Sequence, residues 1–219
     1  MFLSRVTLDL GKLTPEMMQK WQSASPYASH QWLWQLFSHH DERRFLFRHE
    51  SAERGERFYV QSDVPPLDGH NIFAVESKPF QPHLTKGMFL YFSLRANPVI
   101  TRSGKRSDVM MDAKYQAKQK GIPAEQHWPL QIIAANNWLR RQGEQHGFML
   151  PDKQDYVVSY QQQRFSRLTG ERPISFGSVD FAGLLRVDDV TRFSHALRNG
   201  VGKSKALGCG LMLIRRGEQ

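Results

Sequence analysis

The chain has 219 residues, 40% hydrophobic and 23% charged, which suits one large folded domain or two of about 100 residues each with a proper core. Thirty Lys and Arg against 21 Asp and Glu give a net charge of +9, a balance that points to nucleic acid or another anionic surface as partner. No apolar run approaches a membrane span, MFLSRVTLDL lacks the apolar core of a signal peptide, and the single cysteine, Cys209, excludes an internal disulfide and a cysteine-built zinc site, so a reducing cytoplasm is the expected location.

Val6, Leu8 and Leu10 share one face of a first strand by the period-two rule. TPEMMQKWQ follows, with Thr14 as helix cap and Pro15 at the first helical position. A second helix start is expected at Ser25-Pro26, opening PYASHQWLWQLFSHH, in which Tyr27, His30, Trp34 and Phe37 recur at helical spacing. RRFLFRHE and ERFYVQSD read as two strands joined by a turn around Gly55. VPPLDGH is too short and too rich in proline for a full helix, and NIFAVESKPF reads as another strand. The first half is therefore β-α-β-β-(degenerate α)-β.

A loop, KPFQPHLTKG, leads into MFLYFSLRANPVI, the strongest strand signal in the chain. Gly104-Lys105 makes a turn within the basic RSGKR, and Met110 and Met111 read as core or edge filler. PLQIIAANNWLRRQGEQHG is a helix with Leu130, Ile133, Asn137 and Leu139 toward one side, ending at Gly143 or Gly147. DYVVSYQQQRFSR and ISFGSVDFAGLLRV flank a Thr169-Gly170 turn as a long basic hairpin. DDVTRFSHALRNG is a capped helix ending at Gly200, and GLMLIRR is a last strand. The second half repeats the pattern of the first. The expected fold is α+β: tandem ferredoxin-like (RRM-like) domains, residues 1–86 and 87–219, each an antiparallel sheet with helices on one face.

Two stretches stand out chemically. RNGVGKSKALGCGLMLI places Gly200, Gly202, Gly208 and Gly210 beside Lys203 and Lys205. Such a backbone either cradles an anion with successive N–H groups or simply ends a helix and packs a strand. RFSRLTGER carries Arg164, Arg167 and Arg172, either as an RNA-facing hairpin or as basic residues blunting an edge strand. HHDER near residue 39 does not make a metal site, because adjacent histidines leave a helix on different faces and no partner cluster accompanies them. Trp32 and Trp34 offer rings for base stacking or for the core. YFSLRA does not meet the consensus of an RNP-type reader of single strands.

PYASHQWLWQLF, LYFSLRANPV, WLRRQGEQHGF and GVGKSKALGCGLMLI, in this order and spacing, resemble the CasE-type CRISPR repeat endoribonucleases, the RNA-processing subunits of type I-E Cascade. The resemblance covers nearly the whole chain. It implies two ferredoxin-like domains, cleavage of repeat RNA beside its stem-loop without metal or other cofactor, retention of the product hairpin, and the other Cascade subunits as partners. The family's active-site histidine follows a tyrosine by three residues, and Tyr27 and His30 occupy those positions; Gln31 stands where some relatives carry a basic residue. The family's stem-binding hairpin corresponds to the region of Arg164, Arg167 and Arg172.

Metal-free RNA cleavage uses the substrate's 2′-hydroxyl as nucleophile. His30 is then the general acid or base, Tyr27 orients the phosphate, and Lys203, Lys205, Gly200 and Gly202 contact the RNA backbone. The alternative function is a non-catalytic subunit that only grips an RNA hairpin.

Overall fold

The computed structural model describes residues 1–38, 45–52, 55–69, 71–102, 104–152, 154–165 and 173–217. The chain divides into two compact units: Met1–Pro82 with Arg164–Ser175 and Ser204–Leu211, and His83–Gln163 with Phe176–Lys203 and Met212–Gln219. The turn expected around Gly55 falls partly outside the described residues, as do HHDER and the Thr169-Gly170 turn entirely.

In the first unit, β1 (Phe2–Leu8), β2 (Phe45–Ala52), β3 (Gly55–Ser62) and β4 (Phe73–Pro79) form one sheet in the order β2-β3-β1-β4. β1 pairs antiparallel with both β3 and β4, which is the ferredoxin-like arrangement. Alternation on β1 buries Val6 and Leu8 completely, as the period-two reading expects, but the strand ends at Leu8 and Leu10 opens a 3-10 turn, Leu10–Lys12, capped by Asp9.

The helix α1 (Pro15–Gln35) starts where the sequence places it: the Thr14 hydroxyl accepts from the Met17 N–H at 3.3 Å, and Pro15 opens the first turn. The second start expected at Ser25-Pro26 is not a start. The backbone runs helical through both residues. A proline inside a helix removes an N–H donor and costs about 3 kcal/mol. Trp21 and Trp32, on either side of it, are both buried with ring centroids 5.2 Å apart. Each such ring buries roughly 150–250 Å², several kcal/mol at about 25 cal/mol per Å², so packing outweighs the local break.

The second unit is built on β5 (Phe89–Ala96), β8 (Phe148–Met149), β9 (Val157–Phe165), β10 (Ile174–Val187) and β11 (Met212–Arg216), in the order β11-β5-β10-β8 with β9 also on β10. The helices α3 (His127–His146) and α4 (Val190–Asn199) complete a second ferredoxin-like pattern. The long strand expected over MFLYFSLRANPVI is interrupted at Asn97-Pro98. Beyond it come a hairpin of β6 (Val99–Arg102) and β7 (Lys105–Asp108) and a helix, α2 (Val109–Gln119), that the sequence reading lacks. Asp108 caps α2, accepting from the N–H groups of Met110 and Met111 at 2.7 and 3.0 Å. Burial pushes the Asp108 carboxyl up, against the pull of those two donors and of the Tyr160 hydroxyl. Met110 is core, whereas Met111 is exposed.

On α3 the buried positions are His127, Gln131, Ala135, Trp138, Leu139 and Gly143, while Ile133 is exposed. Of the expected side only Leu139 is buried; the true stripe interleaves Trp138 and Leu139 with the small and polar Gln131, Ala135 and Gly143, so a search for large apolar residues misplaces it. The helix ends at Gly147, in the left-handed region at φ +78°. Gly143 lies inside it, where a Cβ would collide with the Phe148 carbonyl. Asp189 caps α4 through the Arg192 N–H at 2.9 Å, and that bond with the adjoining Arg192 guanidinium holds the Asp189 carboxyl below the usual range. Among the described residues no helix is long and apolar enough to cross a membrane.

Candidate functional site

Tyr27 and His30 lie one turn apart on α1, which puts both side chains on one helix face. They line the same groove, about 630 Å³ in volume, together with Lys20, Gln31, Trp32, Trp34 and Gln35. The ring of His30 is held in a nest of aromatics: stacked on Phe45 at 5.7 Å between centroids, and tilted against Trp34 at 5.9 Å and Phe47 at 6.2 Å. Its Nε2 atom is buried while the residue as a whole is partly exposed. The imidazole is therefore oriented by packing on one side and open to the groove on the other. Of the two tryptophans, Trp32 is core and Trp34 is the more accessible.

The support under His30 comes from far along the chain. Phe47, on β2, is 1% exposed. Gly208, in the glycine-rich stretch, has φ +81°, and a Cβ there would sit 3.3 Å from the Phe47 ring. A side chain at 208 would be strained by its backbone and pressed into the ring that carries the histidine. The short 3-10 turn Lys205–Leu207 just before it lies against α1. Lys205 thus belongs to the same unit as Tyr27 and His30.

The other half of the glycine stretch belongs to the second unit. Gly202 has φ +80°, and a Cβ there would stand 3.3 Å from the Trp138 indole. Lys203 pairs through an isolated antiparallel bridge with Asn97, inside LRANP. The glycine stretch and LRANP, distant in sequence, are thus neighbours in the second sheet's surroundings. Gly200 ends α4 at φ +76°. Arg164 lies next to the end of β9; Arg167 and Arg172 lie outside the described residues.

Lys20 is, with Gln35, a groove residue that sequence reasoning missed. It precedes Tyr27 by seven residues, two helical turns, and so shares its face. Reading α1 as two helices hid that relation. Chemically the groove offers an imidazole for proton transfer, a phenol for hydrogen bonding, an ammonium for phosphate charge, and an indole surface. Among the described residues no group of three or more His, Cys, Asp or Glu side chains is placed to hold a metal ion.

Comparisons with known proteins are consistent across the chain. A family model described as CRISPR associated protein matches residues 1–216. The chain is similar to the CRISPR system Cascade subunit CasE of Escherichia coli, with 30% identity over 86% of this chain and 90% of that protein. It is similar to the CRISPR-associated endoribonuclease Cse3 of Thermus thermophilus, with 29% identity over 87% of this chain and 90% of that protein. The solved structure of Thermus thermophilus Cse3 bound to an RNA representing a pre-cleavage complex superposes with a TM-score of 0.74 at 26% identity, covering 98% of both chains.

Proposed function

The chain belongs to the family of CRISPR associated proteins, and from that membership we propose that it is a metal-independent endoribonuclease that cuts CRISPR repeat RNA beside its stem-loop and stays on the hairpin as a subunit of Cascade. The observation that supports this best is the placing of Tyr27 and His30 on one helix face in one open groove, with the imidazole braced from behind. On this reading residues 1–86 carry the Tyr-x-x-His helix, residues 87–219 carry the basic hairpin and glycine-rich stretch, and the protein works in the cytoplasm.

In the proposed reaction the 2′-oxygen of the nucleotide before the cut attacks the adjacent phosphorus in line. The O2′–P bond forms, the P–O5′ bond breaks, and the proton lost by the 2′-hydroxyl is balanced by one delivered to the 5′-oxygen. The products are a 2′,3′-cyclic phosphate and a 5′-hydroxyl. His30 performs one of the two proton transfers; an imidazole, with an ordinary pKa of about 6.5, can give or take a proton near neutral pH. Tyr27 hydrogen-bonds a non-bridging phosphate oxygen, and Lys20 and Lys205 offset phosphate charge. Lys203, Gly200 and Gly202 contact the RNA backbone, which positions the strand without reading its sequence.

The test is incubation of the protein with a repeat RNA in excess EDTA. Because the nucleophile belongs to the substrate, a single cut at unchanged rate is expected. Binding without a cut would leave the protein a hairpin-binding subunit, and cutting that requires added metal would overturn the mechanism.

Arg164, Arg167 and Arg172 are proposed to face the phosphates of the stem. A-form stems hide their bases in a deep narrow groove, so recognition by shape and backbone is expected. Replacing one of these arginines by Ala should weaken binding and flatten the slope of log K against log[salt] by roughly 0.7 to 0.9. A triple variant with unchanged affinity and slope would remove these residues from the RNA site.

A further inference from the structure

Strand β5 alternates in burial, so Leu90, Phe92, Leu94 and Ala96 turn into the core while Phe89 and Tyr91 turn outward, 39% and 38% exposed. Residues directly opposite one another in antiparallel strands share a face. Arg186 of β10 is opposite Phe89, and Leu184 is opposite Tyr91. On the other side Arg215 of β11 is also opposite Tyr91, its guanidinium 4.6 Å from the ring centroid. The row continues to Met149 of β8, opposite Arg186 and 48% exposed. The acid on this face, Asp180, is neutralised by Arg95 at 2.8 Å and hydrogen-bonded by the Ser159 hydroxyl at 3.0 Å. Among the described residues neither Arg186 nor Arg215 has an acidic partner.

An outward, partly exposed aromatic pair flanked by two arginines on one face of an RRM-like sheet matches the chemistry of single-stranded RNA: rings for base faces, cations for phosphates. Phe89 and Tyr91 are separated along the strand by about 7 Å, about twice the 3.4 Å rise of stacked bases, so each ring takes one base of an extended strand. The planar Arg215 guanidinium supplies a further stacking surface over Tyr91. A protein partner would want a broader apolar centre than this charged row offers.

We propose that this face, formed by Phe89, Tyr91, Arg186 and Arg215, is a stacking platform for unpaired RNA flanking the hairpin. The proposal rests on the hairpin-binding function stated above and adds a second, sequence-tolerant RNA contact to it. No RNP consensus announces it, because Tyr91 and Phe89 lie in a strand whose inward residues are also aromatic and aliphatic.

The experiment compares the full-length protein's affinity for a repeat hairpin alone and for the same hairpin with a short unpaired extension of about eight nucleotides, well within the site size of single-strand-binding folds. The extension is expected to tighten binding roughly tenfold or more. Phe89→Ala with Tyr91→Ala should abolish that gain and leave hairpin-only affinity unchanged, and Tyr91→Phe, which keeps the ring, should retain it. An abasic extension, with phosphates but no bases, should give little gain. Equal binding of the extended RNA by wild type and the double variant overturns the proposal, as does a full gain from the abasic extension. Loss of affinity for both RNAs in Tyr91→Phe as well would assign the face a packing role and likewise overturn it. Failure of the wild type to bind the hairpin alone would instead strike at the function proposed above, which keeps the two outcomes apart.

Discussion

His30→Ala is expected to slow single-turnover cleavage by about 100-fold or more, the range for removing a general acid or base, while hairpin affinity stays within about twofold. The separation follows from where the residue sits. His30 occupies a partly covered position in the α1 groove, stacked on Phe45, and affinity for RNA comes mainly from cationic contacts elsewhere. Tyr27→Phe should cost less, since it removes a hydrogen bond and leaves the proton transfer intact. Single-turnover rates at saturating enzyme, with affinity measured separately, check both. Full-rate cleavage by His30→Ala would reduce that histidine to a packing residue.

Phe47→Ala should destabilise the first unit by about 3–5 kcal/mol, the usual cost of emptying a buried phenylalanine site. The ring is 1% exposed and packs against His30, Phe45 and Phe58, with Gly208 closing over its edge. A fall in melting temperature on the order of 10 °C is expected at about 2–4 °C per kcal/mol. The milder Phe47→Leu should leave the unit folded yet lower the cleavage rate several-fold with hairpin affinity unchanged, because the imidazole loses a wall. Unchanged melting in Phe47→Ala would show that the ring does not support the unit, and unchanged cleavage in Phe47→Leu that it does not place His30.

What could be read in the sequence was what local chemistry decides. Thr14-Pro15 and the start of DDVTRFSHALRNG announced helices through capping, alternation exposed β1, and β5 lies within the strongest strand signal. What could not be read depends on partners remote in sequence. The continuity of α1 through Pro26 is secured by the contact between Trp21 and Trp32, so the local break signal misled, and with it went the link between Lys20 and Tyr27. The buried side of α3 contains Gln131, Ala135 and Gly143, residues without a hydrophobic signature of their own. The glycine stretch was legible as unusual but not as to purpose: Gly208 serves the packing of Phe47, and Gly202 that of Trp138. Tyr27 and His30 were singled out by the family resemblance; helical spacing places them on one face, together with Trp34 and Phe37, without marking them as a site. The aromatic brace behind His30 was not legible, because Phe45 and Phe47 come from another strand.

The decisive step of the proposed reaction is attack by the substrate's own 2′-hydroxyl beside His30. The most direct measurement is cleavage of a repeat RNA bearing a single 2′-deoxy sugar immediately before the scissile phosphate, with binding followed in parallel. This RNA is expected to bind like the unmodified one and stay whole, while the unmodified RNA yields a 2′,3′-cyclic phosphate and a 5′-hydroxyl. Cutting of the deoxy substrate at the same linkage would contradict that step.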